Sequence, residues 1–197
     1  MIGQNITVTA LTDNKEILES ARLTVWKGDL GKEPSSKFME AIYKSEHSPI
    51  RNKIFKIKVE AIPYWLSVHF VRHWVGSNPQ IQPYIATNRD DRVDIEAHRD
   101  ELTNMELVLN AQSIIDISKL RLCSMAHIKA QQLWREILEE LKKIDIELYN
   151  NCVPTCVYRG FCPEQSCCGR VYSKVYQEWR EEYTKGYPKI GDEKPVQ

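Results

Sequence analysis

Two stretches of the chain alternate apolar and polar residues, as a β-strand with one solvent-facing side does. The first stretch is short, and the second carries charged residues at its polar positions. The apolar positions are Ile6, Val8 and Ala10 in the first stretch and Phe55, Ile57, Val59 and Ala61 in the second. Both stretches are therefore predicted to be strands.

Apolar residues at intervals of three and four predict helices in much of the remaining chain. Helices are expected after Asp13, from about Ser36 to Lys44, after Pro63, over a long tract from about Met105 to Tyr149 with a break near Cys123 to Met125, and from Val171 to Tyr183. Residues 77–92 are polar and contain two prolines, which predicts a loop, or a loop with a short strand. Ligand contacts are expected there, because exposed loops commonly carry binding residues.

The composition is typical of one compact domain without a dominant charge. The chain has 197 residues, of which 42% are hydrophobic, and 27 basic residues balance 27 acidic ones. A neutral chain is a poor candidate for general nucleic-acid binding, although a local group of arginines can still bind a small anion. Neither a run of about 18 apolar residues nor a secretory signal is visible. We therefore expect a cytoplasmic protein with no membrane or nucleic-acid partner.

Two groups of basic residues could bind an anionic ligand. His69, Arg72 and His73 fall within one turn of the helix after Pro63, and they suit an anion or a polar ring. The alternative is a solvated basic helix end, stabilised by the helix dipole. Arg89 could bind phosphate through its guanidinium fork, unless the neighbouring aspartates neutralise it at the surface.

The long helical tract adds amide and charged side chains that could face a flavin or pyrimidine ring, or simply water. They are Asn110, Gln112, Asp116 and Arg121. The sequence contains no glycine-rich phosphate loop, no nucleophile elbow and no His-Glu-x-x-His motif. If the protein is an enzyme, a cofactor is therefore expected to supply the reactive centre.

Five cysteines fall within 17 residues after the long helical tract. They are Cys152, Cys156, Cys162, Cys167 and Cys168. Four thiolates suit a tetrahedral zinc ion, or less well an iron–sulfur cluster, and the predicted ligands are Cys152, Cys156, Cys162 and Cys168. The alternative is a set of small buried hydrophobic side chains. Cys123 is expected to pack within the helical tract, beside the polar residues.

Taken in order, several segments resemble the flavin-dependent thymidylate synthases. They are Glu46-His47-Ser48-Pro49-Ile50-Arg51, Arg72-His73-Trp74, Asn110-Ala111-Gln112-Ser113 and Leu120-Arg121-Leu122-Cys123 followed by Ala126-His127. They cover roughly residues 40–145, and their order matters more than any single segment. The cysteines after this region resemble those of a subgroup that is often carried by phages.

This resemblance implies an α/β (α+β) fold in a single domain, with a twisted, mainly antiparallel sheet flanked by helices. A cysteine-rich knuckle and a helix would follow at the C-terminus. The implied organisation is a synthase-like domain over residues 1–150, a cysteine-rich extension with the terminal helix over residues 151–187, and a tail over residues 188–197. A homotetramer would bind its ligands at the subunit interfaces.

The implied reaction is the reductive methylation of dUMP to dTMP. FAD would be reduced by NADPH, and methylenetetrahydrofolate would donate the carbon. By resemblance, FAD would contact His47, Arg72, His73, Asn110 and Asp116. The nucleotide would contact His69, Arg89, Gln112 and Arg121, and Arg121, holding the pyrimidine ring, would be the catalytic residue.

Three positions depart from the pattern of this family. Trp74 and Gln112 stand where arginines are usual, and Asp116 stands where an amide is usual. Two alternatives therefore stay open. One is a flavin enzyme that modifies C5 of another deoxypyrimidine nucleotide, and the other is a non-catalytic nucleotide-binding homologue.

Overall fold

The protein has four strands and eight α-helices in the parts of the chain that the structure, a computed structural model, describes, namely residues 5–28, 31–73, 76–81 and 100–188. The strands are β1 (Asn5–Ala10), β2 (Ile54–Pro63), β3 (Ser77–Ile81) and β4 (Leu102–Asn110). The helices are α1 (Lys15–Leu23), α2 (Ser36–Lys44), α3 (Tyr64–Val71), α4 (Ala111–Arg121), α5 (Ile128–Lys142), α6 (Ile146–Asn151), α7 (Thr155–Arg159) and α8 (Lys174–Thr184). Short 3-10 helices cover Ser48–Asn52 and Arg170–Tyr172.

The four strands form one sheet in the order β1-β2-β4-β3, and each neighbouring pair is antiparallel. One face is apolar and packs on helices, because Phe55, Ile57 and Leu107 alternate with polar residues and are almost fully buried. On the other face, Glu106 of β4 forms ion pairs with Lys56 and Lys58 of β2. The predicted fold class, a mixed fold with an antiparallel sheet flanked by helices, is confirmed.

The long helical tract begins later than its apolar spacing predicts. Residues 105–110 belong to β4, where Met105, Leu107 and Leu109 are buried at every second position. The prediction of a helix from Met105 was therefore wrong. β4 pairs with both β2 and β3, and two ladders of backbone hydrogen bonds outweigh a weak local preference. The expected break near Cys123 is present between α4 and α5.

A tryptophan between helices forms the centre of the core. Trp134 of α5 is fully buried and stacks on Phe70 of α3, with 5.9 Å between ring centroids. Its indole Nε1 donates to Ser118 Oγ at 2.9 Å, and Ser118 in turn donates to the Ile114 carbonyl. This contact satisfies the only polar atom of the ring and holds α3, α4 and α5 together.

The segment after α6 packs on the rest of the protein. Val157 and Tyr176 form a small apolar cluster between α7 and α8. Thr155 Oγ1 donates to the Lys119 carbonyl at 2.9 Å, and Arg170 Nη1 donates to the Leu122 carbonyl at 3.0 Å. These hydrogen bonds attach the cysteine-containing segment to the C-terminal end of α4. Across the described ranges, none of the helices has the length and apolar character needed to cross a lipid bilayer.

Candidate functional site

Arg121, the last residue of α4, connects α4 to the end of α3. Its Nε donates to His73 Nε2 at 3.0 Å, and its Nη2 donates to the His69 carbonyl at 2.6 Å. The side chain is half-buried. Among the described residues, no carboxylate forms an ion pair or hydrogen bond with Arg121, and its Nη1 has no hydrogen-bond partner. The positive charge is therefore fixed in place with one edge of the fork available to a ligand.

Local helix geometry explains why the His69 carbonyl is available. α3 ends at Val71, and the amide of His73 donates to Phe70 rather than to His69. Carbonyls in the last turn of a helix lack partners within the helix, and the helix dipole is negative there. A guanidinium at this end satisfies the carbonyl and interacts favourably with the dipole.

Both histidines at this helix end favour their neutral forms. Burial, together with the charge of Arg121, lowers the pKa of His73 to about 4. Burial and then Arg121 also lower the pKa of His69, and His127 and Arg72 add to this effect. A neutral His73 can accept from Arg121 at Nε2, whereas its charged form would be a donor there. Arg121 therefore remains the cation of this pair at neutral pH.

An aromatic and imidazole group borders Arg121. The ring of Trp65 lies 4.9 Å from that of His127 and 6.0 Å from that of His69, and the two imidazoles are 5.9 Å apart. His127 also caps α5, because its Nδ1 accepts from the Lys129 amide at 3.3 Å. Sequence reasoning did not assign a role to Trp65 or His127. The spacing of four residues between Trp65 and His69 was the available signal, because it places both on one face of α3.

A second polar group, the Glu46 cluster, consists of Glu46, Gln112, Asp116 and Lys119. Gln112 Nε2 donates to Glu46 Oε2 at 2.6 Å, and Lys119 Nζ lies 2.8 Å from Glu46 and 3.1 Å from Asp116. The ring of Tyr158 lies 4.2 Å from the Lys119 ammonium group. Glu46 has a φ of +49°, an uncommon conformation for a non-glycine residue. This cluster is largely satisfied within the chain.

Asn110 has a structural contact at the start of α4. Its Oδ1 caps the helix by accepting from the Ser113 amide at 2.9 Å. Gly76, at a φ of +66°, packs so closely that a β-carbon there would collide with Asn110 Nδ2 and Ser113 Oγ. His47 is exposed at the start of the first 3-10 helix.

The predicted site residues therefore fall into separate places. Arg121, His69 and His73 are in contact at the end of α3. Arg72, which directly follows the last residue of α3, is exposed. Gln112 and Asp116 belong to the Glu46 cluster. Asn110 and His47 belong to neither group. Arg89 and Trp74 lie outside the described residues.

The four cysteines predicted as zinc ligands are not all together. Cys152 is buried, its thiol donates to the Leu148 carbonyl, and burial raises its pKa to about 12. It lines a cavity of about 380 Å³ between α2, α5 and α8, away from the other predicted ligands. The structure therefore does not bring Cys152 to the cavity that the other three predicted ligands line. Cys156, Cys162 and Cys168 instead line a small cavity with Cys123.

The comparisons with known proteins bear on the fold. No protein-family model matches the sequence, and no curated protein matches it. Two crystal structures from Helicobacter pylori are similar in fold, and both are of the flavin-dependent thymidylate synthase ThyX with FAD and dUMP. The first has a TM-score of 0.59 at 13% identity and covers 76% of this chain and 99% of that one. The second has a TM-score of 0.57 at 12% identity and covers 75% and 99%.

Proposed function

We propose that the protein is a flavin-dependent thymidylate synthase that converts dUMP to dTMP with FAD, NADPH and methylenetetrahydrofolate. The observation that carries this proposal is the contact between Arg121 and His73. The two side chains come from segments 48 positions apart in sequence, and they meet where the resemblance expects flavin and nucleotide. The fold shared with the Helicobacter pylori enzyme supports the same proposal.

The residues present suit an anionic, ring-shaped ligand. Arg121 has an open edge and Arg72 is exposed, so two cations are available to a nucleotide. Trp65 and the imidazoles of His69 and His127 offer ring faces for stacking. Asn110 fits less well as a flavin contact, because its carbonyl oxygen is committed to the helix cap.

In the proposed reaction, Arg121 acts on the pyrimidine ring. Its free edge donates to the uracil carbonyl oxygens and stabilises the negative charge that develops on the ring, an effect worth about 3–4 kcal/mol per donor. Neutral His73 accepts from Nε and so fixes the orientation of the fork. FAD, when bound, supplies the hydride and carbon-transfer chemistry that these side chains lack.

The proposed roles of Gln112 and Asp116 require a second subunit. Gln112 and Arg121 are nine positions apart, or about two and a half helical turns, so the two side chains lie on opposite faces of α4. One ligand cannot touch both faces of the same helix. We therefore propose that this face of α4 serves a site of a neighbouring subunit, within the homotetramer that the resemblance implies. Light scattering of the purified protein tests that assembly.

A flavin and product assay tests the proposed function. The purified protein is expected to be yellow, with absorbance near about 450 nm, and to convert dUMP to dTMP when given methylenetetrahydrofolate and NADPH. Growth without thymidine in a host lacking thymidylate synthase is the matching test in cells. A colourless protein that does not bind FAD or dUMP would contradict the proposal and favour the non-catalytic alternative.

The acidic Glu46 cluster favours one second candidate, C5 modification of another deoxypyrimidine. Gln112 stands where the family has an arginine, and two carboxylates against one lysine leave this surface with excess negative charge. Such a surface suits an exocyclic amino group better than a phosphate. Mass analysis after separate incubation with dUMP and dCMP distinguishes the two, because only the second candidate modifies dCMP.

A further inference from the structure

We propose that Cys123, Cys156, Cys162 and Cys168 form a zinc site that joins the C-terminal extension to the turn after α4. All four thiol-bearing residues line a single cavity of about 10 Å³. A cavity of this volume holds on the order of one water molecule, and therefore one metal ion. The inference does not depend on the proposed enzymatic function.

The four residues come from three different segments. Cys123 lies in the turn between α4 and α5, and Cys156 is buried within α7. Cys162 and Cys168 lie in the irregular segment between α7 and the second 3-10 helix. Cys123 is a neighbour of Cys156, and both Cys167 and Cys168 are neighbours of Cys162.

Metal binding requires the four thiols to move closer together. As the side chains stand in the described ranges, no three His, Cys, Asp or Glu residues are close enough to hold a metal ion. Zinc–sulfur bonds are about 2.3 Å long, so the thiols must converge. Cys162 and Cys168 can move inward because their segment is without regular structure and largely exposed, whereas Cys156 is held within α7.

The cavity includes a cation that can offset part of the charge of a zinc–thiolate centre. Each thiol that binds zinc releases one proton to solvent, so four thiolates and one divalent ion carry a net charge of about −2. Arg170 lines the same cavity, and its Nη1 is held by the Leu122 carbonyl at 3.0 Å. A fixed guanidinium beside the site offsets part of this negative charge.

Packing of small hydrophobic side chains does not account for this arrangement. Cys168 is exposed and Cys162 is only half-buried, whereas a cysteine that packs as a small hydrophobic residue is buried. A zinc ion would explain why the 3-10 helix Arg170–Tyr172 and the irregular segment before it pack on the turn that follows Arg121. Because Cys123 is two residues after Arg121, the ion would also restrict the end of α4.

Metal analysis with a matched cysteine control tests the site. Elemental analysis of protein purified under reducing conditions is expected to give about one zinc per chain. Titration of metal-free protein with Cd²⁺ is expected to produce ultraviolet thiolate-to-metal absorption. Cys162→Ser and Cys168→Ser are expected to weaken Cd²⁺ binding about tenfold or more. Cys152→Ser is the control, since Cys152 lines a different cavity and a serine hydroxyl can still donate to the Leu148 carbonyl.

Three results would overturn the site. The first is a reduced wild-type protein that contains no zinc and gives no Cd²⁺ absorption. The second is a Cys152→Ser variant that loses as much affinity for Cd²⁺ as Cys168→Ser. The third is a disulfide among these cysteines in freshly isolated protein whose reduced form does not bind Cd²⁺. None of these readouts uses flavin or nucleotide, so they are independent of the proposed synthase activity.

Discussion

The two faces of α4 carry polar residues of very different character. On one face, Arg121 is held by neutral His73 and by a helix-end carbonyl, and its charge is not neutralised by any described carboxylate. On the other face, Lys119 is enclosed by Glu46 and Asp116, and Gln112 closes the network. The first face presents an available cation, and the second presents an almost completed set of hydrogen bonds.

This difference shows how a side chain's partners distinguish a binding role from a structural one. An arginine whose fork is oriented by a neutral acceptor keeps its charge for a ligand. A lysine bonded to two carboxylates has little hydrogen-bonding capacity left for a ligand. Removing it leaves the carboxylates without their cation. We therefore expect substitutions on the first face to affect activity, and removal of Lys119 or Glu46 on the second face to affect stability.

The largest expected effect is on activity, from Arg121→Ala. Loss of the guanidinium should lower dTMP formation about 10²–10³-fold while the protein stays folded, since one donor to a developing negative charge is lost. Steady-state product assays and circular dichroism measure the two quantities. Arg22→Ala is the control, because Arg22 is also half-buried and its Nε also donates to a backbone carbonyl, that of Gly28. Wild-type turnover in Arg121→Ala would remove Arg121 from the mechanism.

The next effect is on stability, from Lys119→Met. The Glu46 and Lys119 side chains are 17% and 15% exposed, so a carboxylate without its cation should cost about 2 kcal/mol of unfolding free energy. Urea denaturation measures this loss, and Glu46→Gln combined with Lys119→Met should recover part of it. Lys143→Met is the control, since the ion pair with Glu140 is exposed and should contribute less than about 0.5 kcal/mol. Equal losses in the two lysine variants would contradict the assignment of a structural role to the cluster.

A smaller effect on stability is expected from Asn110→Ala. Loss of the cap on α4 should lower the unfolding free energy by about 1 kcal/mol, whereas Asn110→Asp retains a capping oxygen and should be close to wild type. Thermal denaturation and flavin titration are the measurements. A large loss of flavin affinity in both variants, without a loss of stability, would restore Asn110 as a cofactor contact.

At neutral pH the smallest expected effect is that of His73, whose influence on stability emerges only as the pH falls. Its pKa is about 4 in the folded state, below the unfolded value of 6.5, so the unfolded state binds more protons between these values. Stability should therefore fall as pH decreases from about 6.5 to about 4. His73→Gln, which can still accept from Arg121, should reduce this slope. Urea denaturation at several pH values tests it, and an unchanged slope would exclude His73 as its source.

The elements that could be predicted are those whose signal is local. Alternation at Phe55, Ile57 and Val59 identified β2, and the break near Cys123 separated α4 from α5. The spacing of His69 and His73 marked the end of α3 as a basic site. Met105 was misassigned because apolar residues at positions 105, 107 and 109 were read together with a helical pattern that begins only after Asn110.

The sequence by itself determined the strand and helix periodicities, the absence of a dominant charge and the residue types available for chemistry, because these depend on the residues themselves and their near neighbours. Only the tertiary structure decided which of those residues meet. Sheet pairing made β4 a strand, and the crossing of α3 and α4 brought Arg121 to His73. The return of the C-terminal segment to α4 placed Cys123, rather than Cys152, beside the other thiols. Contacts across 30 or more residues depend on how whole elements pack, and no local pattern encodes that packing.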